Sequence, residues 1–182
     1  MWRDQIANSI QGWGFGALRF MVRTGLEACR VFLEMGVIDL ATSKLEKCQD
    51  VFLVENILGL YVAVMTTHTD FKLNNPIIIR EVMKVTSPHI RNGEIVRLSL
   101  TILILSCKRT QVYSHVITAY GAKKLLHRIS TIYRRSSSLY SHIHMLCKQL
   151  LECMCSCCSK STSVQLINDQ LVLSQQHDPG EF

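Results

Sequence analysis

Three breaks in an otherwise helix-friendly chain place the tightest limit on what it can fold into. Gly36, Asn75 and Gly121 each stand beside a short amphipathic segment, and a polar break then leads to a longer, more apolar one. The first unit runs from Glu34 to Leu45 and from Asp50 to Val64. The second runs from Asn75 to Met83 and from Gly93 to Leu105. The third runs from Ala119 to Ile129 and from Leu139 to Leu151. The breaks are 39 and 46 residues apart, a period that belongs to units of two or three helices stacked on one another. With only 3 Pro and 9 Gly in 182 residues, the chain lacks the regular breakers that a turn-rich β-sandwich needs. Hydrophobic residues make up 48% of it, enough to expect a packed core and not general disorder. The expected fold class is all-α.

Local periodicity agrees. Ile117, Leu125, Leu126, Ile129, Ile132 and Tyr133 recur at helical spacing, with Lys123, Lys124, Arg128, Arg134 and Arg135 between them. Leu98 to Leu105 is apolar almost all round. A helix of that kind has to be buried between neighbours. Its rival is a buried strand over Ile95 to Leu105, where β-branched residues are common. Breaks are expected at Thr66–Asn75, Thr86–Gly93, Lys108–Val112 and Arg134–Ser138. Pro76 and Pro88 fall at helix starts or loops, where a missing N–H does least harm.

The run Phe32-Leu-Glu-Met-Gly-Val-Ile-Asp-Leu40 resembles the armadillo-repeat junction, where a short helix ends in Gly and the next opens with a small or branched apolar pair, and His115-Val-Ile-Thr-Ala-Tyr-Gly-Ala-Lys-Lys-Leu-Leu126 resembles it again. The likeness to the armadillo/HEAT family covers about residues 20–155, three repeats at most plus a partial first one. It implies a short armadillo-like α-solenoid that acts as a scaffold for other proteins, with a groove lined by the third helices. One departure matters. Peptide-binding members carry a ladder of Asn on those third helices. The corresponding stretches here, Leu60 to Val64, Leu100 to Ile104 and Leu146 to Gln149-Leu150, contain none. The extended, import-signal type of peptide binding is therefore not expected. The resulting division is an N-terminal segment 1–19, a repeat domain 20–155, and a Cys-rich, polar tail 156–182.

Charge singles out one part of the chain. Residues 1–106 carry a net +1, residues 107–160 a net +8, and the tail from 161 a net −3. The expected partner-binding surface is Lys123, Lys124, Arg128, Arg134 and Arg135 on the last repeat. Its expected partner is another protein. An anionic membrane surface is the alternative. Nucleic acid is disfavoured, because no reading element accompanies the cations.

Five of the eight cysteines, Cys147, Cys153, Cys155, Cys157 and Cys158, gather near the end of the last apolar segment. Cys153, Cys155, Cys157 and Cys158 beside basic residues fit a site of S-acylation. Together with the basic helix they make a peripheral membrane protein the alternative function. Thiolates at this spacing could also share a soft ion. A closed zinc site, however, takes two ligand pairs across a loop, and no second pair exists. No metal and no cofactor are expected, and plain reduced thiols remain the simplest reading. Cys29, Cys48 and Cys107 sit in apolar surroundings and read as small hydrophobes.

Catalysis has little support. The chain has no Gly-rich phosphate loop, no His-Glu-x-x-His and no Gly-x-Ser-x-Gly. His142 and His144 are two apart and do not share a helix face. Met1 to Phe20 lacks an uninterrupted apolar core of the secretory type. Val51–Met65 is broken by Glu55 and Asn56, and Leu98–Cys107 spans ten residues where a membrane-crossing helix needs about 20. A non-enzymatic, cytoplasmic scaffold is the expectation.

Overall fold

Two helices that are apolar on nearly every side organise the molecule. In the computed structural model, residues 2–71, 76–134 and 141–155 are described. Among them the chain forms nine α-helices and no strand: α1 (Trp2–Thr24), α2 (Leu26–Glu34), α3 (Val37–Lys47), α4 (Val51–Thr67), α5 (Pro76–Thr86), α6 (Gly93–Arg109), α7 (Gln111–Ala119), α8 (Ala122–Tyr133) and α9 (141–155).

Helix α4 starts where the Asp50 carboxylate accepts from Leu53 N at 2.9 Å, an N-cap that satisfies an otherwise orphaned donor. Helix α6 starts in the same way. Asn92 Oδ1 accepts from Glu94 N and Ile95 N at 3.0 and 3.2 Å, while its Nδ2 donates to Glu55 Oε1 at 2.8 Å. From these caps the two helices run through the core. Leu53, Val54, Ile57, Leu58, Leu60 and Tyr61 of α4 are buried, as are Ile95, Val96, Leu98, Leu100, Ile102 and Leu103 of α6. Consecutive buried positions cover every side of a helix, so each must be surrounded. Each fully buried aliphatic side chain contributes roughly 1.5–3 kcal/mol over leaving it in water. The strand reading of Ile95 to Leu105 is thus replaced by a helix. Its β-branched residues are accommodated because packing, and not intrinsic propensity, decides a buried element.

The order of packing alternates along the chain. Helix α1 lies on α4, α4 on α6, α3 on α5, and α5 on both α6 and α7. Several polar groups caught inside are paired, while the buried His68 Nδ1 and His89 Nε2 have no hydrogen-bond partner among the described residues. Thr86 Oγ1 donates to Ser99 Oγ at 2.7 Å, and the Thr42 and Tyr61 hydroxyls share a hydrogen bond of 2.8 Å. At the far end of α6, the Arg109 guanidinium donates to the carbonyls of Met65, His68 and Phe71. A cation there satisfies a carbonyl in the last turn of α4 and two just beyond it, and meets the negative end of the helix dipole.

The two junction glycines are alike in detail. Gly36 has φ 72° and ψ 24°, and Gly121 has φ 83° and ψ 27°. Each follows a helical residue with ψ near zero, Met35 in one case and Tyr120 in the other. Only glycine adopts that left-handed conformation without strain. In both cases the glycine carbonyl accepts from the residue four positions on, Leu40 N or Leu125 N, so the second helix begins at the bend. The third expected break, Asn75, lies outside the described residues.

The N-terminal region is helical despite its glycines. Helix α1 runs through Gly12, Gly14 and Gly16, and through residues 19 and 20, without interruption. Glycine inside a helix costs about 1 kcal/mol relative to alanine, so packing has to offset it. A Cβ at Gly12 would lie 2.5 Å from the Phe52 ring, and one at Gly16 would lie 2.9 Å from Asn56 Oδ1. One turn apart on one face, these two glycines let α1 lie close along α4. Phe15 and Val22 are buried on the same side. Ile6, Ile10, Trp13 and Phe20 are each between 58% and 71% exposed, and the Trp13 ring meets Phe52 of α4 edge-on at a centroid distance of 5.2 Å.

Candidate interaction surface

The basic surface begins with an electrostatic oddity at the start of α8. A helix N-terminus carries partial positive charge, and sequences normally place Asp or Glu in its first turn. Helix α8 has no acidic residue there and no side-chain cap. Lys123 and Lys124 occupy the turn instead, both exposed. Local rules broken without local benefit tend to mark functional surfaces.

The helix is otherwise strongly one-sided. Ala122, Leu125, Leu126, Ile129 and Tyr133 are buried, and Tyr133 Oη donates to Ile90 O at 3.1 Å. That anchoring fixes where the remaining side chains lie. Lys124 and Arg128, one turn apart, line an open groove of about 450 Å³ between α8 and α5. Arg80 and Lys84, also one turn apart, line it from α5, with Met83 and Leu125 between the two rows and Tyr120 at the α7–α8 turn. Arg128 Nη1 donates to Ser87 Oγ at 3.1 Å. It also borders an adjoining hollow over residues 87–92, which Arg91 lines too.

One carboxylate serves this set. Glu81 is only 2% exposed. It accepts from Arg80 Nε at 2.8 Å and from Lys84 Nζ at 3.3 Å to both oxygens. A buried carboxylate of this kind is held by its partners, and removing them would leave it uncompensated. Arg80 and Lys84 are themselves well exposed, at 42% and 61%.

The residues expected to form one surface do not all line one hollow. Lys124 and Arg128 share the α5–α8 groove. Arg134, just past the end of α8, lines a separate hollow with His127 and with His144 of α9. Lys123 is exposed and lines neither hollow. Arg135 lies outside the described residues. Arg80 and Lys84 were not singled out by the sequence. In Arg80-Glu81-…-Lys84 one carboxylate leaves a net charge of only +1, and it is the burial of Glu81 that leaves the two cations as the exposed charges. The available signal was their spacing of four, matched by that of Lys124 and Arg128.

The cysteine run is seen only in part. Cys153 is half-buried against the core and Cys155 is exposed near the end of α9, while Cys157 and Cys158 lie outside the described residues. Ile143, Cys147, Leu150 and Met154 form the buried face of α9. Burial pushes the thiols of Cys29, Cys48 and Cys147 up, away from the reactive thiolate form. Cys29 and Cys107 are buried as expected. Cys48, at the C-cap of α3, is half-buried against the core, and its Sγ accepts from Asp50 N at 3.3 Å. Among the described residues no three His, Cys, Asp or Glu side chains gather as a metal site would require. His142 and His144 flank the buried Ile143 on the exposed side of α9. Among the described residues no helix is long and apolar enough to cross a membrane.

Comparison with protein-family models, with curated proteins and with solved structures found no match to this chain.

Proposed function

We propose that the chain is a non-enzymatic protein–protein interaction scaffold, built as a short armadillo-like stack of helical repeats. The observation that carries the functional reading is the open α5–α8 groove, where four cations surround an apolar floor. Enclosed catalytic pockets are concave and gather a few converging polar groups. This groove is open and long, and its charges are spread along two helices. Two features support the repeat architecture. The left-handed glycines at 36 and 121 have matching geometry and stand 85 residues apart, room for two units of about 42. In such a stack the pairing of α3 with α5 and of α4 with α6 would be that of equivalent helices in successive units. We place the protein in the cytoplasm, in keeping with its many thiols. The test is affinity purification of the wild-type chain beside a variant with Lys123, Lys124, Arg128, Arg134 and Arg135 all changed to Glu. Loss of specific partners is expected, and retention of every partner would overturn the reading.

A second reading is favoured by the exposed Cys155 near the end of α9. S-acylation of Cys153, Cys155, Cys157 and Cys158, with the cations of α8 against anionic lipid, would hold the protein at a membrane surface. Stable anchoring takes two such signals, and the chain offers both. Membrane fractionation before and after hydroxylamine decides it. A wholly soluble chain, or membrane association that hydroxylamine leaves unchanged, removes this alternative.

A further inference from the structure

We infer that the α5–α8 groove takes an acidic peptide segment that carries an apolar anchor. The inference rests on the scaffold reading and narrows it to one site and one kind of partner. Charge complementarity is the first argument. Arg80, Lys84, Lys124 and Arg128 face the groove, and the nearby carboxylate, Glu81, is buried beneath the α5 cations.

The arrangement of these cations is the second argument. Two charges four residues apart on a helix are separated by about 6 Å along its axis. The groove therefore offers two rows of cations, one on α5 and one on α8. A lone phosphate is held best where donors converge on a point. Acidic side chains strung along a peptide match two rows better.

The floor supplies the third argument. Met83 and Leu125 are 7% and 8% exposed and lie recessed between the cation rows. A flat bilayer surface cannot follow such a recess, whereas an apolar side chain on a peptide can enter it. Methionine adapts its shape to such an anchor. Tyr120, 44% exposed at the rim, adds a rigid aromatic surface of the kind enriched at binding hot spots. The positive end of α8, left uncapped and bearing two lysines, adds to the same field.

Selection of random peptides displayed on phage against the full chain tests the inference, with binding of the leading peptide measured by fluorescence anisotropy. Enriched peptides are expected to combine several Asp or Glu with one or two apolar residues. Their affinity should fall as salt rises. Lys124→Glu with Arg128→Glu should weaken binding by about tenfold or more, with the helical circular-dichroism spectrum unchanged. A control of equal charge, Arg23→Glu with Lys148→Glu, should leave binding intact. Selection without acidic preference overturns the inference, as does binding that survives the α8 double variant. In either case the scaffold reading still stands if partner capture from cells persists. Displacement of the peptide by inorganic phosphate, or tight binding of phosphatidylserine vesicles or single-stranded RNA in its place, would equally overturn it.

Discussion

Helices α1 and α8 both cover the outside of the same core, yet they present opposite surfaces. Helix α1 buries Phe15 and Val22 and exposes Ile6, Ile10, Trp13 and Phe20. Helix α8 buries Leu125, Leu126, Ile129 and Tyr133 and exposes Lys123, Lys124, His127 and Arg128. Amphipathicity therefore orients α8 and leaves α1 undecided, because α1 carries apolar residues on two sides. What orients α1 is steric. Gly12 and Gly16 permit a close approach to Phe52 and Asn56 that a side chain at either position would prevent. A hydrophobic stripe is a reliable guide to burial only where the opposite face is polar.

The inner faces should be equally sensitive. Phe15→Ala is expected to destabilise by about 3–5 kcal/mol and Ile129→Ala by about 2–5 kcal/mol, because both side chains are buried. On the exposed side, Phe20→Ser should stay within about 0.5 kcal/mol. Urea unfolding followed by circular dichroism measures all three. A Phe20 effect as large as that of Phe15 would break the assignment of faces in α1.

Helix starts sharpen the contrast. Asn92 caps α6, whereas Gly121 opens α8 without a side-chain cap. Asn92→Ala should therefore cost about 1 kcal/mol, and somewhat more if the loss of its bond to Glu55 adds to it. At α8 the expected sign is reversed. Lys123→Glu and Lys124→Glu should each stabilise the fold by roughly 0.3–1 kcal/mol through the helix dipole, even as Lys124→Glu weakens the binding groove. Thermal unfolding at low ionic strength reads both. If either lysine change lowers the melting temperature, the idea that α8 gives up local stability for surface charge fails.

The smallest effect concerns pH. Arg97, donating to Glu94 at 2.6 and 2.8 Å, holds the Glu94 carboxyl below its ordinary value, with partial burial opposing and the charges of Arg97 and then Arg19 of α1 assisting. A carboxylate shifted down on folding adds stability that is fully present above its ordinary value of 4.5. That stability is lost as pH falls through the lower folded value. Because the Glu94 side chain is 43% exposed, solvent screening limits the gain to a few tenths of a kcal/mol. The melting-temperature difference between wild type and Glu94→Gln should be small at neutral pH and vanish in acid. A difference that grows on acidification would contradict the assigned sign.

Much of the candidate surface was legible before any fold was known. Lys124 and Arg128 stand out in a segment of net +8, and their spacing of four puts them on one face of a helix. Arg80 and Lys84 were hidden because a linear count sets Glu81 against them. Arg109 belongs to the same basic segment but spends its charge inside, on carbonyls at and just beyond the end of α4. Charge per segment does not reveal which groups are turned inward.

Helix positions themselves follow from local chemistry. Glycines that adopt φ near +75°, Asp and Asn that cap, and apolar runs too long for a strand are properties of adjacent residues, so the sequence alone determined where most helices begin and end. Which face of α1 turns inward, which cations meet across the α5–α8 groove, and which carboxylate is buried beneath them were decided only by the tertiary structure. Each depends on side chains tens of residues apart, brought together by packing, and no local pattern encodes that distance.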